Sequence, residues 1–257
     1  MSAGVVIDLD GVVYRGATAI PGAAEALAAL EAAGYDLHFV TNNSARTPEV
    51  VAERINSIAG FPARASQVVT SSLVAASMIE EGPVLFMGES GLEAAIRGAG
   101  FETTEDPRTA RTVVVGLDRH LSYERATRAA DAARNGARLI VTNRDPTFPI
   151  ENGALQPGAG ACAALVETAA GVVGETAGKP SEAMRRWVEE RIPAGTIWVV
   201  GDRPDTDIAL ARGERWRSIL VMTGVTTDPE SADPAPDFVA ANLKAAADII
   251  LSNEPEG

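Results

Sequence analysis

Lysine, histidine and cysteine are nearly missing from this chain of 257 residues. Lysine stands only at Lys179 and Lys244, and every other basic residue is arginine. His38 and His120 are the only histidines. Neither has a cysteine or histidine at zinc-ligand spacing, which argues against a histidine-based metal site. Cys162 is the only cysteine, so an intramolecular disulfide is excluded. Its neighbours Ala161 and Ala163 to Val166 read as a helix face, which predicts a buried, inert thiol. No apolar run approaches the roughly 20 residues that a membrane span needs. The N-terminus enters a predicted strand almost at once, leaving no signal peptide in view. A reducing, cytoplasmic setting is the expectation.

Positive charge is also short. The formal net charge is -13 and the pI about 4.6. A field of that sign argues against nucleic acid and anionic membranes as partners. It also repels a phosphate unless the binding site carries a cation of its own. Two accounts of the acidic, lysine-poor composition stay open at this point. One is adaptation to high salt, where repulsion is screened; the other is a GC-rich genome.

Hydrophobic residues make up 46% of the chain, enough for a sizeable core. Short β-branched runs alternate with alanine-rich stretches, the pattern of βαβ units and a parallel sheet. Strands are predicted over 5–9, 37–41, 84–87, 112–116, 139–142, 196–201, 218–222 and 238–240. Helices are predicted from Pro21 to Gly34, from Thr47–Pro48, and over 71–81, 92–99, 123–135, 159–170, 181–191, 204–212 and 243–251. A second α/β pattern begins near Gly82–Pro83, and the stretch 228–236 reads as loop. The block from Gly82–Pro83 through the helix 159–170 is expected to close a small α/β unit of its own.

Five features carry chemistry. Val5 to Ile7 lead into Asp8–Leu9–Asp10–Gly11–Val12, which delivers two carboxylates, two residues apart, into a glycine turn. Strand residues i and i+2 point the same way, and two such acids repel unless a cation or a proton lies between them. Mg2+ suits that arrangement, because it takes oxygen ligands and is held by one or two carboxylates plus substrate phosphate. Thr41–Asn42–Asn43–Ser44 follows the second strand, with hydroxyl and amide donors able to cradle phosphate without adding charge; capping of the next helix is the simpler reading of the loop taken alone. Gly178–Lys179–Pro180–Ser181 sets one of the two lysines before a helix, a compact point charge for a phosphate oxygen. Gly201–Asp202–Arg203–Pro204–Asp205–Thr206–Asp207 repeats the opening device at a later strand end. In open α/β sheets, ligands bind outside the C-terminal strand ends. Asp8, Asp10, Thr41, Asp202 and Asp207 are therefore expected to face one crevice. The middle block supplies the fifth feature, Val141–Thr142–Asn143–Arg144–Asp145, with Pro157–Gly158–Ala159–Gly160–Ala161 after it.

Together these motifs resemble the haloacid dehalogenase superfamily of phosphatases, in its NagD-like branch with a large α/β cap. The resemblance covers essentially the whole chain. It implies a Rossmann-like core with a parallel sheet, made of two core segments (1–81 and 174–257), and a smaller inserted α/β cap over 82–173. It also implies that Asp8 is the nucleophile, forming an aspartyl-phosphate, and that Asp10 is the acid/base. Mg2+ is held, on this likeness, by Asp8, the Asp10 main-chain carbonyl and Asp202, with Asp207 orienting metal-bound water and not ligating directly, and Asp205 a bystander. Thr41, Asn42, Asn43 and Lys179 hold the phosphoryl group. In the cap, His120, Asn143, Arg144 and Asp145 are the candidates to meet the leaving group, each with a capping or surface role as the plain alternative. The implied substrates are small phosphorylated metabolites, with p-nitrophenyl phosphate as an artificial one, and a homodimer through the cap is the implied assembly.

Two other functions are weighed against this one. A haloacid dehalogenase needs no proton for its leaving group, so Asp10 argues against it. A phospho-ligand sensor without turnover has no use for the nucleophile and acid/base pair together.

Overall fold

A computed structural model describes residues 3–149 and 154–253. In chain order, β1 (Gly4–Ile7) leads to a small hairpin of β2 (Tyr14–Arg15) and β3 (Thr18–Ala19), then α1 (Ala23–Ala32), β4 (Asp36–Thr41), α2 (Pro48–Ala59), β5 (Val68–Thr70) and α3 (Ser71–Ser77). There follow β6 (Val84–Met87), α4 (Ser90–Gly98), β7 (Thr112–Val115), α5 (Tyr123–Arg134), β8 (Arg138–Val141), β9 (Thr147–Pro149), β10 (Leu155–Pro157), α6 (Ala159–Ala170) and β11 (Glu175–Thr176). The chain closes with α7 (Glu182–Arg191), β12 (Ile197–Gly201), β13 (Trp216–Val221), β14 (Phe238–Ala240) and α8 (Leu243–Ser252).

The described residues fall into two compact units, one within Met1–Thr41, Pro48–Val69 and Arg185–Gly257, the other within Asn42–Thr47 and Thr70–Met184. The second unit thus takes in the loop after β4 and the lysine loop, both of which the sequence places with the core segments.

In the first unit, a six-stranded sheet runs β14-β13-β12-β1-β4-β5. The pairs β1–β12, β1–β4, β12–β13 and β13–β14 are all parallel. Every residue of β1 and of β12 is buried, as expected of central parallel strands covered on both faces. The core on one face joins Ile7 and Val200 with Leu27 and Leu30 of α1 and Leu243 and Ile250 of α8. Phe39 meets Phe61 edge-on at 5.9 Å between ring centres. The chain proceeds from β1 outward through β4 to β5, and later from β12 outward through β13 to β14. The direction of winding therefore reverses between β1 and β12, and the crevice of a doubly wound sheet opens at such a reversal. Asp8 and Asp202 are the first residues beyond those two strands.

In the second unit, four parallel strands run β11-β8-β7-β6. Its core is rich in alanine: Ala129, Ala130, Ala132 and Ala133 of α5 lie with Cys162, Ala163 and Val166 of α6. Small side chains let the two helices approach closely. Cys162 is 5% exposed, and burial raises its thiol above the ordinary range, so it stays an unreactive thiol.

Three expectations change. The helix predicted from Ser71 to Glu81 stops at Ser77, ahead of the Gly82–Pro83 break. In place of a regular helix over 204–212, a π-type turn covers Pro204–Ile208. The short strands β2, β3, β5, β9, β10 and β11 are additions, too brief to show a hydrophobic period. Among the described residues, no helix is long and apolar enough to cross a membrane.

Candidate active site

Asp8, Asp202 and Asp207 form a cluster: each offers a carboxylate oxygen, and these oxygens lie within 4.8 Å of one another. Asp202 is 2% exposed and Asp207 1%, while Asp8 is half-buried. The local sequence explains the convergence. The Asp8 N–H donates to Val200 O at 2.9 Å, which locks the end of β1 to β12. Past β12, the π-type turn brings Asp207 back, so that its Oδ2 accepts from the N–H groups of Asp202 (3.2 Å) and Arg203 (3.1 Å). Wide turns of this kind recur at functional sites, because they re-aim one side chain. Asp205, in contrast, is exposed and paired with Arg203 at 2.8 Å, and that pairing holds its carboxyl below the usual range.

Asp202 is fixed from a third loop. Its Oδ2 accepts from Val225 N–H at 2.7 Å, and Thr226 Oγ1 donates to its main-chain carbonyl at 2.6 Å. Thr223 Oγ1 in the same loop donates to Gly11 O at 2.6 Å, and Arg15 donates to the carbonyls of Thr223 and Gly224. The turn after Asp10 and the loop that grips Asp202 are thereby stitched together. Two glycines make the approach feasible. A Cβ on Gly224 would lie 1.9 Å from Asp202 Oδ2. Gly11 has φ +88°, and a Cβ there would lie 2.7 Å from the same oxygen. Gly224→Ala is expected to displace the Asp202 carboxylate, to destabilise the fold by about 1–3 kcal/mol through overpacking, and to weaken divalent-cation binding. Thermal unfolding and calorimetric titration with Mg2+ check both effects.

Asp10 is exposed beside this cluster in sequence, and its backbone bridges to Tyr14. Tyr14 is buried, and burial, followed by the charge of Asp10, holds its phenol protonated far above the ordinary range. Arg54 of α2 lies over the Tyr14 ring, 5.1 Å from its centre, and donates to Gly16 O at 2.5 Å. Thr41 is buried at the C-terminal end of β4, the strand beside β1.

Three carboxylates, two of them buried, match the oxygen donors that Mg2+ takes and would repel one another without a cation. The residues present therefore fit a hard divalent ion.

Within the second unit, Asn42, Asn143, Asp145 and Lys179 form a separate hydrogen-bonded group. Asn42 Oδ1 accepts from Lys179 N–H at 2.8 Å, and Asn42 Nδ2 reaches Asp145 Oδ2 at 3.2 Å. Asn143 is buried and donates from Nδ2 to Asn42 O at 2.7 Å. Asn43 Oδ1 accepts from Ala45 and Arg46 N–H groups, which turns the loop on itself ahead of α2 and does not cap that helix. Arg144 spends its guanidinium on Glu167 at 2.7 Å, Thr176 Oγ1 at 3.0 Å and Gly174 O at 2.6 Å, so it braces the loop before β11. His120 is exposed, and its main-chain N–H donates to Asp118 Oδ1 at 2.9 Å. It lines an open cavity of about 780 Å³ with Glu89, Glu93, Arg97, Arg125 and Arg128. His38 is buried against Asp36 at 3.1 Å.

Sequence reasoning did not find Arg15, Tyr14, Arg54 or the loop 223–226. The signal for that loop was modest, a Thr–Gly pair one residue past a buried strand.

Comparison with known proteins matches residues 5–102 to a family described as haloacid dehalogenase-like hydrolase. Residues 176–246 match a second, described as HAD-hydrolase-like. The acid sugar phosphatase of Staphylococcus saprophyticus is 39% identical over 231 residues, covering 88% of this chain and 88% of that protein. The p-nitrophenyl phosphatase of Archaeoglobus fulgidus is 32% identical, with a TM-score of 0.87 over 96% of this chain and 98% of the other. A glycerol phosphate phosphatase of Mycobacterium tuberculosis, solved in complex with magnesium, is 33% identical, with a TM-score of 0.86 over 95% of this chain and 75% of the other.

Proposed function

Since the chain belongs to the haloacid dehalogenase-like hydrolases, as a NagD-like phosphatase that hydrolyses phosphoric monoesters, we propose that it is Mg2+-dependent and acts on small phosphorylated metabolites through an aspartyl-phosphate on Asp8. The observation that carries this reading is the meeting of the Asp8, Asp202 and Asp207 carboxylates at the reversal point of the sheet.

The roles follow from chemistry. The Asp8 carboxylate attacks phosphorus, the P–O bond to the leaving group breaks, and Asp10 gives that oxygen its proton. Asp10 then takes a proton from the water that attacks the phosphoryl group, and Asp8 is released with inorganic phosphate. Asp10 is exposed, as a group that must exchange protons with water and substrate requires. Mg2+ held by Asp8, the Asp10 carbonyl and Asp202 supplies the charge neutralisation that lets an anionic carboxylate approach a phosphate. Asp207 steadies Asp202 through its backbone N–H. Thr41, the 42–43 backbone and Lys179 bind the phosphoryl oxygens, with Lys179 the cation that an otherwise acidic chain must provide. The segment 82–173 is the cap and sets the choice of substrate.

Sugar phosphates and glycerol phosphate lead the candidate substrates, by the names of the relatives. A panel of phosphorylated metabolites assayed with Mg2+ tests the reading. Release of inorganic phosphate from p-nitrophenyl phosphate and from at least one polyol or sugar phosphate is expected; no turnover across the panel contradicts it. The same panel at low and at molar salt addresses the acidic composition. Activity highest at molar salt is expected of a salt-adapted surface, and activity highest without salt refutes that adaptation.

A further inference from the structure

We infer that Asn42 is a positioning residue: its side chain clamps the backbone of Lys179 and ties that lysine's loop to Asp145 in the inserted segment. This deepens the proposed function and rests on the reading of Lys179 as the phosphate-binding cation.

The amide of Asn42 is used at both ends. Its Oδ1 accepts from Lys179 N–H at 2.8 Å, and its Nδ2 donates to Lys179 O at 3.3 Å and to Asp145 Oδ2 at 3.2 Å. The Asn42 carbonyl in turn accepts from Asn143 Nδ2 at 2.7 Å and Ser71 Oγ at 2.8 Å. Lys179, Asn143 and Ser71 are all at most 4% exposed, so these bonds are shielded from competing water. Asp145 is itself set by Asn143, whose Oδ1 accepts the Asp145 N–H at 3.0 Å. One side chain thus joins three loops: the one after β4, the one before α7, and the one after β8.

The pattern demands an amide. An aspartate of the same shape would turn an oxygen toward Lys179 O and the Asp145 carboxylate, replacing two donated bonds by repulsion. An asparagine at 42 that only filled space would tolerate that change. One that bound phosphate directly would act independently of Lys179.

The test uses Asn42→Asp, Lys179→Met, the double variant and Asp145→Ala in the full chain. The readouts are calorimetric binding of inorganic phosphate with Mg2+, binding of Mg2+ alone, and kcat and KM for p-nitrophenyl phosphate. Asn42→Asp is expected to weaken phosphate binding by about tenfold, with KM rising more than kcat falls and Mg2+ binding unchanged. The double variant is expected to bind phosphate no more weakly than Lys179→Met alone, because Asn42 acts through the lysine. Asp145→Ala removes one strut and is expected to weaken phosphate binding by about threefold. Effects that multiply in the double variant overturn the inference, as does wild-type behaviour of Asn42→Asp beside a weakened Lys179→Met. Wild-type phosphate binding by Lys179→Met overturns the reading of that lysine and the inference with it. Should Asn42→Asp fail to fold, Asp145→Ala decides, and unchanged phosphate binding there overturns the inference.

Discussion

Asp8→Asn is expected to lower turnover of p-nitrophenyl phosphate by at least about a thousandfold, since it removes the group that forms the covalent bond. The substitution keeps the shape of the side chain and the backbone bond from residue 8 to Val200. It also removes one of three like charges whose oxygens lie within 4.8 Å. Without metal, that relief is expected to raise the thermal midpoint of Asp8→Asn above wild type. A loss of activity joined to a gain in metal-free stability separates a chemical role for Asp8 from a structural one. Activity above a tenth of wild type contradicts the nucleophile assignment, and a lowered midpoint contradicts the account of the cluster as a set of repelling carboxylates.

Asp202→Asn is expected to have the second-largest effect. The carboxamide oxygen can still accept from Val225 N–H, so the loop 223–226 keeps its grip. What is lost is a full negative charge in a buried place, where a divalent ion depends on it most. Mg2+ affinity is expected to fall by about a hundredfold, and activity at low Mg2+ to fall with it. Part of that activity is expected to return as Mg2+ is raised, which Asp8→Asn does not allow. Chelation of wild type is expected to abolish turnover, with Mg2+ restoring it. Full activity in excess chelator contradicts the metal requirement, and Mg2+ affinity equal to wild type in Asp202→Asn contradicts the ligand assignment.

Much of the framework was legible because its signals are local. The runs Val5 to Ile7 and Ile197 to Val200 are β-branched or aromatic and lead to acids, Asp8 at once and Asp202 after Gly201, and both became central strands. Helix α6 lies where the alanine-rich stretch 159–170 placed it. The π-type turn over Pro204–Ile208 was less legible: the stretch has helical composition, but the Asp207 carboxylate draws in the N–H groups of residues 202 and 203 and widens the turn. Long-range partners were the least legible. Nothing near Asp202 in sequence reveals that Val225 and Thr226 hold it, and Arg15 lies 208 residues from Thr223. Arg144 showed the opposite limit. Its position in a family-like motif pointed to substrate, whereas its guanidinium is engaged by Glu167, Thr176 and Gly174.

The central claim is that phosphorus passes to the Asp8 carboxylate beside the Asp202–Asp207 pair. Acid quenching during turnover of p-nitrophenyl phosphate with Mg2+, followed by mass spectrometry of the peptide carrying residue 8, tests it most directly. The account predicts a peptide heavier by one phosphoryl group, with the label on Asp8, formed in wild type and absent from Asp8→Asn. A label on another residue, or rapid turnover in Asp8→Asn with no phosphopeptide in either protein, contradicts it.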